Sequence, residues 1–203
     1  MYNIFKKLSS KYVKDQSMGY PEGHKEQTRI RIVEAARRLW KTKGYGGASV
    51  DKVMQEAGLT RGGFYAHFKS KEDLLEDVLL ENKVSDGLEI LKAKGITEKK
   101  DQMVAVIDWY LDPNHRDHPE EGCVLTVLSQ EMRRHPSGPR QRLSSLVTRF
   151  GHWLGGEKKQ DKGYAALSMM VGAVSLARAH DDPKVSDEIL AQAKREVKSL
   201  LAE

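Results

Sequence analysis

One cysteine in 203 residues excludes an internal disulfide, and with it the small cystine-stapled secreted scaffold. No stretch is apolar for long enough to span a bilayer. The uncharged run Ala165–Ala177 falls short of the ~20 residues a crossing helix needs. The first residues carry lysines but no unbroken apolar segment, so no secretory signal is expected. These absences together give a cytoplasmic reading with no membrane partner. Alternating apolar runs of strand length are missing, as are internal repeats and low-complexity tracts. What remains is 39% hydrophobic and 31% charged, enough for a packed core under a solvated surface in one ordinary domain or two small ones.

The net charge of +5 is modest, but it is unevenly placed. Residues 1–73 hold 15 Lys+Arg against 8 Asp+Glu, whereas residues 74–203 hold 19 against 21. A basic module joined to a near-neutral one points to an anionic partner at one end and a different task at the other.

Residues 1–23 show no sustained period and read as a flexible basic arm. A short membrane-surface helix built on Ile4, Phe5, Leu8 and Tyr12 is the alternative, and Met18 offers a second start for the chain. From Gln27 the pattern is helical: Ile32, Ala36 and Leu39, with Val33 and Trp40 beside them, recur at three- and four-residue spacing. Gly44 closes this helix, and Gly46-Gly47 makes the turn. Ser49 is placed to cap a short helix that ends at Gly58. Thr60 is expected to cap another through Phe68, and Ser70 a longer one from Lys71, with Asp73 completing a near capping box. Further helices are expected at Glu98–Leu111, Gly122–Arg134, Arg140–Leu154, Lys159–Ala179 and Val185–Leu201. Asp112-Pro113, Pro136-Ser137-Gly138-Pro139, Gly155-Gly156 and Asp181-Asp182-Pro183 separate them. The fold class is all-α.

Ser49 to Phe68 carries the chemistry. Two short helices around a glycine turn form a helix-turn-helix, whose second helix can enter the major groove of DNA. Gly62 and Gly63 each cost ~1 kcal/mol relative to alanine inside a helix, and in return allow close approach to a groove wall. Arg61 could reach a guanine edge or a phosphate. Tyr65 and His67 can donate to phosphate oxygens, while Lys71 starts a helix whose dipole already favours an anion. Phe64 and Phe68, four apart, read as core. Ordinary solvated charges at Arg61 and Lys71, and a buried hydrogen-bonded His67, are the plainer alternatives.

The stretch Thr28–Leu75 resembles the DNA-binding domain of TetR/AcrR-type transcriptional regulators. The resemblance rests on Ala35-Ala36, Gly44-Tyr45, Ala57-Gly58, Tyr65-x-His67-Phe68 and Lys71-Glu72, with mild departures at Trp40 and Met54-Gln55. It implies three parts: a flexible arm (1–23), a three-helix helix-turn-helix DNA-binding domain (24–73), and a helical effector-binding and dimerisation domain (74–203). By position it puts Arg61, Gly62, Gly63 and Tyr65 at bases or the nearby backbone. It puts Thr60, His67 and Lys71 at phosphates, and Ser49 as a cap close to the backbone. It further implies a homodimer, paired through its last two helices, on a palindromic double-stranded operator, with two heads about one helical turn apart. The implied activity is that of a repressor released by a small apolar or amphipathic effector.

In the second module, Ala166, Met170, Ala173 and Ala177 line one face of a helix, and Leu190, Ala193, Val197 and Leu200 line the last one. Both stripes are expected to pack against a second protomer, internal core being the alternative. Met103, Ile107, Trp109, Tyr110, Met132, Phe150, Trp153 and Met169 are pocket candidates, since aromatics and methionines suit an adaptable apolar cavity. His115, His118 and Cys123 have no tetrahedral metal spacing and Pro119 intervenes, so neither a metal nor another cofactor is expected. Cys123, at an expected helix start, could carry a lowered thiol pKa and act as a redox or electrophile sensor. No paired carboxylates, nucleophile–base pair or phosphate loop supports an enzyme. A constitutive DNA-binding dimer with a filled core, and a helical enzyme with a DNA-binding appendage, stand as alternatives.

Overall fold

The computed structural model describes residues 24–80, 83–135, 137–156 and 160–202. The N-terminal arm, the second start at Met18 and the expected helix start at Lys159 lie outside them. Every regular element among the described residues is helical: α1 (His24–Lys43), α2 (Val50–Glu56), α3 (Lys71–Leu80), α4 (Lys83–Ala93), α5 (Lys99–Tyr110), α6 (Pro113–Asp117), α7 (Leu125–Leu128), α8 (Ser137–Gly155), α9 (Gln160–Ala179) and α10 (Pro183–Ala202), with short 3-10 turns at Arg61–Ala66, Pro119–Glu121 and Met132–Arg134. No helix among them is long and apolar enough to cross a membrane.

The first helices form where their sequence signals stand. Ile32, Ala35, Ala36 and Trp40 line the buried face of α1. Two left-handed glycines, Gly44 (φ 70°) and Gly58 (φ 66°), then turn the chain after α1 and after α2, a backbone state that a Cβ resists. Ser49 Oγ accepts the Lys52 N–H (3.3 Å) and caps α2. At α3, Ser70 Oγ accepts the Asp73 N–H (3.1 Å), and the Asp73 carboxylate accepts the Lys69 N–H (2.9 Å). This is a capping box shifted by one residue, as suits the shorter Asp side chain.

Two expected helices differ. The segment from Thr60 to Phe68 is a 3-10 helix over Arg61–Ala66, and the Thr60 side chain makes no capping bond. Two consecutive glycines in a six-residue segment cannot sustain an α-helix, and the tighter i→i+3 turn suits so short a piece. Gly122–Arg134 is also broken, into α7 and the Met132–Arg134 turn. There the Thr126 hydroxyl turns back to the Cys123 carbonyl (2.8 Å) among β-branched neighbours, and local bonding of this kind competes with the helix ladder.

The core is continuous. Leu74, Leu75, Val78 and Leu79 of α3 are buried, and α3 packs on both α1 and α8, so residues 73 and 74, where two modules were expected to meet, lie inside one helix. The most extensive contacts are those of α9 with α8 and α10. Ala166, Met170, Ala173 and Ala177 of α9, with Leu190 and Val197 of α10, are buried within this one chain. The stripes expected to face a second protomer are therefore internal core, because α9 lies between two neighbours and spends its small-residue face on them.

Candidate nucleic-acid interface

The caps and glycine turns bring the N-terminus of α2 and the 3-10 helix Arg61–Ala66 side by side. Phe64 and Phe68 are fully buried, their rings 5.7 Å apart, and they pin the 3-10 helix onto α1 and α2. Held from inside, it presents its other face outward. Ser49, Thr60, Arg61, Gly62 and Tyr65 are exposed, Tyr65 by 67%. Gly62 has open space where a Cβ would stand, while one at Gly63 would only touch the Met54 methyl at 3.6 Å. Arg61 Nη1 donates to Asp51 Oδ2 (3.1 Å), joining the two elements across the turn.

Two of the expected phosphate ligands sit differently. His67 is half-buried, and burial, followed by the charges of Lys25 and Arg29, lowers its pKa; the neutral ring keeps a single N–H to offer. Lys71 turns inward. Its Nζ donates to the Tyr45 carbonyl (2.6 Å) and lies 3.9 Å from the centre of the Tyr45 ring, and burial lowers its pKa. The ammonium expected to meet a phosphate is thus engaged inside the molecule, where the α1–α2 loop passes over it.

That engagement belongs to a polar junction between the first helices and the rest, which no local sequence pattern announced. The Tyr45 N–H donates to Glu131 Oε2 (3.1 Å). The Tyr45 hydroxyl donates to Glu72 (2.9 Å), a bond that heads the causes lowering the Glu72 pKa. The Tyr45 ring meets His135 edge-on at 4.4 Å. Lys41, almost wholly buried, donates to the Glu120 carbonyl (3.3 Å), and Arg29 is ion-paired with Asp77.

The body offers no sensor thiol of the expected kind. Cys123 is 6% exposed, and burial raises its pKa, the reverse of the lowering expected at a helix start. Beside it, His115 is fully engaged: Nδ1 bonds the Tyr110 carbonyl (2.6 Å), and Nε2 accepts the Cys123 N–H (3.0 Å). Gly122 is required there, since a Cβ would stand 2.7 Å from Nε2. Among the described residues no group of His, Cys, Asp and Glu has the form of a metal site.

Burial pushes the His115 pKa down to about 3, whereas the unfolded chain titrates near ~6.5. The folded state therefore refuses a proton that the unfolded state takes up. Stability is full above pH 6.5 and falls as pH drops toward 3. Between pH 7 and pH 5 the expected loss is about 2 kcal/mol. Urea melts at the two pH values, with His115→Gln as control, check this, and equal stability at both would contradict it.

Of the eight pocket candidates, Ile107, Trp109, Tyr110, Met132 and Phe150 are buried, and Met103, Trp153 and Met169 are half-buried. Trp109 and Tyr110 pack on His115 at 4.7 and 4.6 Å, and Tyr110 on Phe150 at 6.1 Å, so these rings fill one another's space. A cleft of about 270 Å³ lies elsewhere, lined by Arg116, Asp117, Arg178, His180 and Ser186 among others.

A family model described as bacterial regulatory proteins, tetR family, matches residues 32–78. The HTH-type transcriptional regulator TtgW of Pseudomonas putida is 30% identical over 96 residues, covering 47% of this chain and 72% of TtgW. The chain belongs to the tetR family. The similar SrpR of Pseudomonas putida, another HTH-type transcriptional regulator, is 31% identical over 96 residues, which are 47% of this chain and 45% of SrpR. The match to SrpR thus spans less than half of that relative. In fold, this TetR-family chain is similar to a TetR-family transcriptional regulator from Agrobacterium tumefaciens (TM-score 0.72, 20% identity, 87% of this chain and 98% of that one). The family match runs from within α1 to within α3 and takes in the whole outward face built on Phe64 and Phe68.

Proposed function

We propose that the protein is a ligand-responsive transcriptional repressor that binds a palindromic operator as a homodimer and is released by a small apolar or amphipathic effector. One observation carries the DNA-binding part: a 3-10 helix anchored by buried Phe64 and Phe68 presents Arg61, Gly62 and Tyr65 to solvent beside a Ser49-capped helix. Glycine at the tip allows close approach to a groove wall, Arg61 supplies donors for a guanine edge, and Tyr65 a hydroxyl for a phosphate. Ser49, Thr60, Gly63 and His67 flank them, and the start of α3 at Lys71 adds backbone N–H groups.

Pairing through α9 and α10 remains the proposed dimer mode, on a face other than the buried stripes. Ala165, Ser168 and Leu176 of α9 are exposed, Leu176 by 63%, and Gly172 has open space around it. An exposed leucine beside small residues suits close helix packing. For the effector, the body must have a second state that the ligand prefers, since equal affinity for both states shifts nothing. The close packing of Trp109, Tyr110, His115 and Phe150 favours a second reading, a constitutive DNA-binding dimer with a filled core.

Selection of bound duplexes from a random pool by the full chain tests the reading: a two-fold symmetric consensus bound at two chains per duplex is expected, and recovery of no consensus overturns it. Arg61→Ala should then weaken binding to the selected operator by about 1–3 kcal/mol and relax one base position. A uniform loss on operator and random DNA, measured by fluorescence anisotropy, would reduce Arg61 to a backbone contact.

A further inference from the structure

We propose that Asp51 sets operator specificity by positioning Arg61, an inference that rests on the DNA-binding reading above. Asp51 lies in the first turn of α2 and Arg61 opens the 3-10 helix. Arg61 Nη1 donates to Asp51 Oδ2 (3.1 Å) and Arg61 Nε lies 3.0 Å from Oδ1, with the two side chains 70% and 55% exposed. Among the described residues no other acid lies within ion-pairing distance of Arg61.

Stability does not explain the pair, because exposed ion pairs of this kind contribute little to folding. Nor is Asp51 needed to cap α2, since Ser49 already accepts the Lys52 N–H. What the carboxylate does is fix a guanidinium that would otherwise sweep a wide arc, on the face presented to the duplex. Arginine is a planar fork with five N–H donors, so one carboxylate leaves donors free to take guanine O6 and N7. The acid also has a cost. Standing on the face that meets phosphates, it repels DNA of any sequence. On a random duplex the pair is electrically neutral and gains little. At a site whose base edges complete the arginine's bonds, and whose cytosine N4 amino group can reach the carboxylate, both partners gain. Asp51 therefore gives up general affinity for discrimination.

The test compares the full-length wild type, Asp51→Ala, Asp51→Asn, Arg61→Ala and the double variant Asp51→Ala/Arg61→Ala, on the selected operator and on a random duplex of equal length. Thermal melting confirms that each variant is folded. Asp51→Ala is expected to tighten random binding by ~3–10-fold and to lower the operator-to-random ratio by ~10-fold or more. Asp51→Asn, which keeps an acceptor for Arg61 and loses the charge, should tighten random binding while retaining the base preference. In the Arg61→Ala background, Asp51→Ala should leave the ratio unchanged. If Asp51→Ala moves operator and random binding by one common factor, or lowers the ratio equally without Arg61, the positioning role is overturned while the DNA-binding reading stands. A wild type that selects no consensus overturns both.

Discussion

Gly163→Val should lower stability by about 4 kcal/mol and the melting temperature by about 10 °C, well beyond the 1–3 kcal/mol usual for overpacking. The reason is backbone on backbone. A Cβ at Gly163 would stand 2.6 Å from the Gly155 nitrogen and closer still to the Gly151 carbonyl oxygen, so no side chain can turn aside to make room. Gly151 and Gly155 are one turn apart on α8, and Gly163 of α9 lies in the notch they leave, with the Tyr164 ring packed over Gly151. Helices that cross this closely must separate to admit a methyl group, and separation opens the most extensive interface in the molecule. Gly172→Ala on the same helix is the control. It has open space around it, and exchanging glycine for alanine in a helix adds up to ~1 kcal/mol. A Gly163→Val protein that melts with the wild type would refute the close crossing.

Arg178→Leu should cost about 3–5 kcal/mol, the range for removing one partner from a buried charged network. The guanidinium holds three acceptors of the α6–α7 region: Nε donates to the Arg116 carbonyl (2.9 Å), Nη2 to the His115 carbonyl (2.7 Å) and Nη1 to the Thr126 hydroxyl (2.8 Å). Burial leads the causes that depress its pKa, so the charge is tolerated only because these partners surround it. Leucine approximates the volume but leaves two buried carbonyls unsatisfied, each a penalty of its own. Denaturant melts of Arg178→Leu and Arg178→Lys separate the parts: lysine restores a charge without the planar fork and should recover only a fraction. Full recovery by lysine would mean that charge alone suffices.

What the sequence made legible and what it hid differ by range. Ser49, Gly44, Gly58 and Ser70 act within a few residues, through caps and left-handed turns, and each performs where it stands. The helical class and the outward face around Arg61 and Tyr65 followed from such local signals. Arg178 shows no pattern in its own neighbourhood, because its partners are more than fifty residues away. Glu131 reaches Tyr45, and Lys41 reaches Glu120, over similar gaps. The inward turn of Lys71 was hidden for the same reason: a lysine at a helix start reads as an anion ligand until the loop crossing it is known. The Ala166–Ala177 stripe announced a packing surface truthfully, but spacing alone could not say which helix it meets.

The helix shared by both halves has a mechanical meaning. With ten residues, α3 is about 15 Å long at 1.5 Å per residue. A tilt of roughly 5° imposed where it touches α8 carries its other end through about 1 Å. That displacement is comparable to the margin separating a made hydrogen bond from a broken one. The molecule thus has a short, stiff pointer rather than a flexible tether, and in a pair of such chains two pointers would move apart together, so an internal rearrangement too small to alter the fold would suffice to put the two reading faces out of step with the groove.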